Sequence, residues 1–331
     1  SETGDPGPDV LRRITAGPAN PESLAHGIVR SLALGPTGEV WALTHPEGPG
    51  VPEPWARVHR IDPETLAVRR VRLQQEIPGA GGDANLEQLM IDRTGVLWLG
   101  SNAGGLRYAD VSAGGFRLYR QGTAGVPGLN SSFVRAICRG SDGLIWVGTP
   151  QGLNRIERSR SAIAYAHSSP EEGAVRLPHP NVQALGEDRH GVLWIGTVGG
   201  LAAFHGKSGE VETFRADPTR PDSLSDDQVQ VIHEGPDGRL WLGTLGQGLD
   251  EFERETRTFR HHAPAREDPH RLPSGTVNAL FSDRQARLWV GTASGLARLD
   301  SPGDPVRRFH RVAGFEETAA PLRGGITPAP A

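Results

Sequence analysis

The chain has almost no sulfur chemistry and few aromatic side chains. Its 331 residues include one cysteine, Cys138, and one methionine, Met90, and aromatic residues make up only 6% of the composition. A single cysteine excludes an internal disulfide, and its place in the apolar run FVRAIC predicts a small buried filler. A chain this poor in cysteine suits the periplasm and the cytosol equally well.

Long apolar runs and a strong charge of one sign are also missing. No run of 18 apolar residues is present, so we expect no membrane contact by this segment itself. The start of the chain lacks the charged and apolar regions of a signal peptide. The formal net charge is −4, and Lys207 is the sole lysine, so nothing favours nucleic acid as a partner.

The chain does contain a repeated pattern, Leu-Trp-apolar-Gly-Thr, which we call the Trp-Gly-Thr motif. Some copies vary at single positions, and the first copy is weaker. The motif tryptophans are spaced 57, 48, 48, 47 and 48 residues apart, at Trp41, Trp98, Trp146, Trp194, Trp241 and Trp289. A period this regular predicts stacked copies of one supersecondary unit. Because the tryptophan recurs in every copy, we predict a structural role for it, in packing between units.

Each unit reads as four short strands joined by turns. In residues 180 to 217, an alternating strand, the apolar motif strand, a strand opening at Gly200 and a strand from Val211 follow one another. We therefore predict an all-β protein, a β-propeller of four-stranded antiparallel blades. Six complete blades are predicted near residues 28–73, 86–120, 133–166, 181–216, 228–262 and 276–311.

The two ends of the predicted propeller, residues 11–313, do not balance. Residues 11–16 resemble an outer fourth strand without the three strands that should precede it. This orphan strand favours a seven-bladed design of which six blades are complete, and a closed six-bladed ring is the competing interpretation. Residues 1–10 are predicted to be a flexible N-terminus and residues 314–331 a linker-like tail. Because the chain begins at Ser1, we expect a processed protein or a piece of a longer one.

An aspartate recurs in the turn between the first two strands of a unit. It stands three residues before the turn glycine at Asp92 and Asp188, and directly before it at Asp142 and Asp237. An aspartate that caps its own turn explains this placement, so we predict a structural role.

The composite pattern of the unit closely resembles the two-component regulator propeller repeat. It runs N-P-x-S-L, V-x-x-[LI], an Asp/Gly turn, LW-[VIL]-GT and G-L-x-x-[LIF]-D/E, and residues 20–24 supply the first element. The resemblance covers about residues 20 to 310. Such repeats form periplasmic sensor portions of bacterial hybrid histidine kinases and of some diguanylate cyclases. The resemblance therefore implies a periplasmic or extracellular sensor that continues into a membrane-anchored signalling protein, for which a dimer is one assembly to expect.

Two groups of residues are candidates for ligand binding. One is the polar residue after the first apolar position of each innermost strand, which we place near the top of the central channel. These residues are Arg30, Glu87, Arg135, Gln183, Gln230 and Asn278. The other is the insertion after the first motif, which carries His45 and Trp55, the one tryptophan outside the repeat. Both groups also have a plain structural interpretation, as a wetted channel wall and a locally packed flap.

We looked for the residue patterns of enzymes and found none that carries a catalytic prediction. Among enzymes, this architecture resembles the virginiamycin B lyase type of seven-bladed propeller. Enzymes of that type use a metal with His and Glu at the channel mouth. This chain has no His-x-His or His-Glu-x-x-His cluster, and we expect His233–Glu234 and His261–His262 in turn or outer-strand positions. Metal binding by His179 and His270 is a minor alternative. We predict no cofactor, no metal site and no catalytic residues.

The sequence thus predicts a non-catalytic sensor propeller that binds a small polar ligand, such as an oligosaccharide or a peptide, on its loop-rich face. Two alternatives stay open: a secreted propeller lyase or hydrolase, and a platform for protein–protein interaction.

Overall fold

The structure, a computed structural model, describes part of the chain in two compact units. The described residues are 27–35, 38–46, 57–62, 65, 67–71, 86–92, 95–102, 104–110, 116–122, 128–156, 163–165, 176–265, 268, 270–282, 286–299 and 308–311. The first unit is Ser1–Val198 with Ala202–Glu212, and the second is Gly199–Leu201 with Thr213–Ala331. The predicted orphan strand, Trp55 and the predicted tail lie outside the described residues.

The regular secondary structure of the described residues consists of strands only. These strands make six four-stranded sheets in chain order. Those of the first three sheets are β1 (Gly27–Leu34), β2 (Val40–Pro46), β3 (Arg57–Ile61), β4 (Val68–Val71), β5 (Leu86–Ile91), β6 (Val96–Ser101), β7 (Leu106–Asp110), β8 (Phe116–Tyr119), β9 (Ala136–Arg139), β10 (Ile145–Thr149), β11 (Gly152–Ile156) and β12 (Ile163–Tyr165). Those of the last three are β13 (Val182–Glu187), β14 (Val192–Thr197), β15 (Gly200–His205), β16 (Glu210–Phe214), β17 (Val229–Glu234), β18 (Leu240–Thr244), β19 (Leu249–Glu253), β20 (Thr258–His262), β21 (Val277–Ser282), β22 (Leu288–Thr292), β23 (Gly295–Leu299) and β24 (Phe309–Arg311).

Each sheet pairs its strands in sequence order, and the strand pairs are antiparallel, as in β1–β2 and β2–β3. Within the first unit, the first strands of consecutive sheets, β1, β5, β9 and β13, are neighbours, and within the second unit β17 neighbours β21. Short antiparallel sheets stacked in this way are the blades of a β-propeller. The predicted all-β propeller fold is therefore confirmed. Among the described residues, no helix has the length and apolarity needed to span a bilayer.

The glycine of the Trp-Gly-Thr motif permits close packing between consecutive blades. A Cβ atom on Gly100 would lie 2.5 Å from Cγ1 of Val134, which belongs to the next blade. The same separation would arise between Gly148 and Val182. Any larger residue would push the first strand of the next blade away, so the repeat needs glycine here.

The motif tryptophans lie in the interior of the blades. Five of them are at most 6% exposed, and Trp289 is half-buried. In two blades a buried turn aspartate holds the indole. Asp188 Oδ2 accepts from Trp194 Nε1 at 2.8 Å while its Oδ1 accepts from the backbone N of Val192 at 3.0 Å, and Asp92 repeats this arrangement around Trp98. Asp142 and Asp237 are exposed, and each accepts from a backbone N–H of its own turn.

A loop that ends in a buried leucine joins one blade to the next. Leu129, Leu224 and Leu272 are each at most 2% exposed, and each forms an isolated parallel bridge with the residue two positions after the end of a fourth strand. In the copy from Asp217 to Leu224, the backbone N of Asp217 donates to Ser223 Oγ at 2.9 Å. The backbone O of Asp222 accepts from Phe259 N, in the next blade, at 2.8 Å. We call this segment the Ser-Leu loop.

Candidate ligand-binding site

The polar residues predicted from the innermost strands occupy one backbone position, a β-bulge in the first strand. In the second blade Leu86 pairs with Ser101 and Gln88 with Gly100, so the backbone register of this strand pair skips Glu87. The same skipped residue occurs in four other blades, at Arg30, Gln183, Gln230 and Asn278. A bulge leaves one residue outside the ladder and re-aims its side chain.

Arg135 holds the corresponding place in the third blade, although β9 begins one residue later. Its backbone N donates to Gly148 O at 2.9 Å, and Ala136 is the next residue to pair with Gly148. All six predicted positions are therefore equivalent in the backbone. The alternation of apolar and polar residues does not reveal the bulge, because one extra residue shifts that alternation out of phase.

In the first unit these positions bring three described polar side chains onto neighbouring strands. Glu87 lies on β5, Arg135 directly before β9 and Gln183 on β13. Arg135 is exposed, whereas Glu87 and Gln183 are half-buried. Gln183 Nε2 donates to Oδ1 of Asn181 at 3.2 Å, which orients this side chain. The group offers a cation, an anion and amides, which together can bind a polar ligand.

Sequence analysis missed Phe133, which lies two residues before Arg135. Its side chain is 45% exposed, whereas the intervening Val134 is 1% exposed. The sequence did contain an indication, because the corresponding residues before the first strands of the last three blades are polar: Asn181, Gln228 and Thr276. A large apolar group in this position is peculiar to the third blade among these four.

The second unit carries the remaining two positions on neighbouring strands, with Gln230 half-buried on β17 and Asn278 exposed on β21. Of Arg30 and His45, the structure describes only the strand positions, in β1 and β2. Trp55 lies outside the described residues. The roles predicted for these three residues stay predictions.

The placement expected for His233 and Glu234 was wrong, because both lie at the end of the first strand β17. His233 Nε2 lies 2.8 Å from Ser282 Oγ on the neighbouring first strand, and burial lowers its pKa despite the charge of Asp237. His261 and His262 do lie on the fourth strand β20, as expected.

In the fifth blade, ionisable side chains surround the buried Glu251. Glu251 is 3% exposed, forms an ion pair with Arg239 and approaches His262 Nε2 at 3.4 Å. Burial of the Arg239 charge acts to lower its pKa. The hydrogen bond and the negative charge of Glu251, together with the charges of Asp237 and Glu253, outweigh this effect, and the pKa of Arg239 is raised. Among the described residues, no group of three or more His, Cys, Asp and Glu side chains is arranged to hold a metal ion.

Comparison with known proteins places the repeat in a family. The model described as two component regulator propeller matches residues 128–151, 176–199 and 223–246. Each match contains the end of a Ser-Leu loop or its equivalent, a first strand and a motif strand. Histidine kinase P4 of Formosa agariphila is 24% identical over 218 residues, which cover 62% of this chain and 15% of the kinase.

Two solved structures illustrate the range of proteins with this fold. The extracellular domain of BT3049 from B. thetaiotaomicron, described as a hybrid two component system, aligns with a TM-score of 0.50 at 16% identity, over 81% of this chain and 39% of that one. Virginiamycin B lyase from Staphylococcus aureus aligns with a TM-score of 0.61 at 16% identity, over 87% of this chain and 85% of the lyase. At these identities the likeness concerns the fold. The three family matches fall in register with the third, fourth and fifth blades, so these blades carry two-component regulator propeller repeats.

Proposed function

We propose that this chain is the non-catalytic, ligand-binding sensor propeller of a bacterial signalling receptor and acts in the periplasm or outside the cell. The observation that carries the proposal is the set of bulged polar residues on neighbouring first strands of a two-component regulator propeller. The blades hold these residues at one backbone position that the pairing register of the strands skips. The ligand is a small polar molecule, such as an oligosaccharide or a peptide.

The signalling role follows from the relatives of the repeat. The curated relative is a histidine kinase of which this chain matches a small part, and a solved neighbour is the extracellular domain of a two component system. We propose that the propeller works within a membrane-anchored receptor and passes on a ligand-dependent change in stability or position.

The test is a binding screen with variants of the bulge positions. Oligosaccharides and short peptides are screened by thermal shift, and each hit is titrated by calorimetry against Glu87→Ala, Arg135→Ala and Gln183→Ala. We expect saturable binding that Arg135→Ala weakens about tenfold or more, since a hydrogen bond to a charged group contributes about 1.5–3 kcal/mol. Lys207→Gln, in the exposed turn after β15, is the matched control for the loss of one positive charge. Ligands whose affinity none of the bulge variants changes would refute this site.

The lyase alternative is separated by a different measurement. Elemental analysis of the gently purified protein, with a chelator added to an activity assay on cyclic peptide lactones, tests for metal-dependent turnover. The sensor proposal expects ligand binding without turnover and without an effect of the chelator. Product formed by the purified chain and abolished by the chelator would favour the lyase.

A further inference from the structure

Phe133 and Arg135 present an aromatic ring and a cation to solvent, two residues apart in the chain. Val134 between them is buried at 1% exposure, whereas Phe133 is 45% exposed and Arg135 is exposed. Both side chains that flank the buried Val134 are therefore accessible, and a single small ligand can reach the ring and the guanidinium together.

The backbone that carries this pair is fixed by hydrogen bonds on both sides. Phe133 N donates to Ser131 Oγ at 3.1 Å, and Phe133 forms an isolated antiparallel bridge with Asn102. Val134 N donates to Ser101 O at 2.8 Å, and Arg135 N to Gly148 O at 2.9 Å. A ligand that binds here does not have to order the loop, so little conformational entropy is lost.

The charge of Arg135 is not used within the described part of the chain. Arg239 pairs with Glu251 and Arg254 pairs with Glu234, whereas no described residue forms an ion pair or a side-chain hydrogen bond with Arg135. A guanidinium presents a planar fork of donors that matches a carboxylate, and an aromatic face next to it favours an apolar surface.

We propose that Phe133 and Arg135 form a subsite for a ligand that carries a carboxylate beside an apolar face. The carboxylate pairs with Arg135, the apolar face stacks on Phe133, and the amides of Asn102 and Gln183 flank the pair with further donors and acceptors. This inference rests on the proposed ligand-binding function and defines the chemical class of the ligand. Acidic saccharides and hydroxylated aromatic acids both present this chemistry.

Glu87, on the neighbouring strand β5, adds a negative charge to the surroundings of the subsite. A carboxylate bound to Arg135 experiences repulsion from this acid, so removing the negative charge should strengthen binding of acids and leave neutral ligands unaffected. Glu87→Gln therefore reports on the charge of the ligand. A variant that only disturbed the structure would change the affinity for acids and for neutral ligands alike.

The experiment titrates the full chain with matched acids and neutral derivatives. One arm uses galacturonate, glucuronate and mannuronate trimers with their methyl esters, and the other uses ferulate and coumarate with their amides. We expect at least one acid to bind tenfold or more tightly than its neutral derivative. Phe133→Ala and Arg135→Gln should each weaken it at least tenfold, Glu87→Gln should strengthen it two- to fivefold, and Lys207→Gln should leave it unchanged.

The outcomes separate this inference from the proposed function. Equal binding of acids and neutral derivatives, or acids that no variant affects, overturns the carboxylate subsite and leaves a ligand-binding propeller in place. Failure of every acid to bind at millimolar concentration also overturns it, whereas the proposed function fails only if the wider screen gives no saturable ligand either. The arm in which the acid binds identifies its source.

Discussion

At the scale of single residues, Asp250 is a carboxyl group buried where the third blade has an amide. Asn154 donates from Nδ2 to Val147 O at 3.2 Å and accepts from Asn130 N at 2.9 Å. Asp250 pairs with Leu242 in the same register and accepts from Ser225 N at 2.8 Å, but its Oδ1 is buried without a hydrogen-bond partner. We expect a neutral Asp250 to donate to the Leu242 carbonyl, as the amide does in the third blade.

Protonation of Asp250 should therefore make the stability of the protein depend on pH. Burial raises the pKa of Asp250 to about 6, against the lowering effects of the Ser225 hydrogen bonds and of His261, while Asp226 adds repulsion. Because the pKa is higher in the folded than in the unfolded chain, this contribution is complete below about pH 4 and is lost as the pH rises to about 6. Asp250→Asn, which keeps the donor, should stabilise the protein by about 2 kcal/mol at pH 8 and much less at pH 4.

Urea unfolding of wild type and Asp250→Asn at pH 4, 6 and 8 measures this difference. The reciprocal variant Asn154→Asp is the control and should destabilise the protein more at pH 8 than at pH 4. An effect of Asp250→Asn that is equal at all three pH values would show that folding does not raise the pKa of this carboxyl.

At the scale of single elements, the turn aspartates differ in what they hold. Asp188 is 5% exposed and joins its turn to the Trp194 indole, whereas Asp142 is exposed and accepts from Leu144 N alone. Asp188→Ala leaves a buried indole N–H and turn N–H groups unsatisfied, so we expect a loss of about 2–3 kcal/mol of unfolding free energy. Asp142→Ala should cost about 1 kcal/mol or less, and chemical denaturation of both variants checks the difference. Equal losses would mean that the indole contact contributes nothing.

The buried leucine of the Ser-Leu loop should contribute strongly to the unfolding free energy. Leu224 is 1% exposed, and removing its side chain leaves a cavity beneath the loop. We expect Leu224→Ala to lower the unfolding free energy by about 2–5 kcal/mol. The exposed Leu245, changed to Ala, is the size-matched control and should have little effect. Thermal and urea unfolding of the two variants make the comparison, and a Leu224→Ala protein as stable as the control would contradict it.

The strands could be predicted from sequence because the motif repeats in register and its apolar run is too long for a turn and too short for a helix. Sequence also gave the backbone position of the six polar residues, since they follow the same apolar residue in every copy. It did not reveal the bulge at that position, because a single extra residue leaves no compositional trace. Phe133 was missed for another reason: an aromatic residue in the apolar run FVRAIC is typical of the interior, and the polar residues at the corresponding positions of the last three blades were not compared with it.

At the scale of the whole molecule, binding should be visible as stability. A ligand that binds only the folded chain raises the unfolding free energy by about 2.7 kcal/mol when present at 100 times its Kd. For a protein of this length we expect an increase in melting temperature of a few degrees, which Arg135→Ala should reduce to about half at the same ligand concentration, because binding that is tenfold weaker leaves the ligand at about 10 times its Kd. Calorimetric scans with and without ligand provide the measurement. A ligand that raises the melting temperature of the Arg135→Ala variant equally would have to bind elsewhere.

The bulge in the first strand also has an evolutionary consequence. The backbone register skips Glu87, Gln183 and their equivalents. Their identity is therefore not constrained by the backbone pairing that holds the blade together. Mutations at these positions can accumulate without loss of folding, one position in each blade. A duplicated receptor gene could in this way acquire a new specificity by a handful of substitutions, while the scaffold continues to be selected for stability alone.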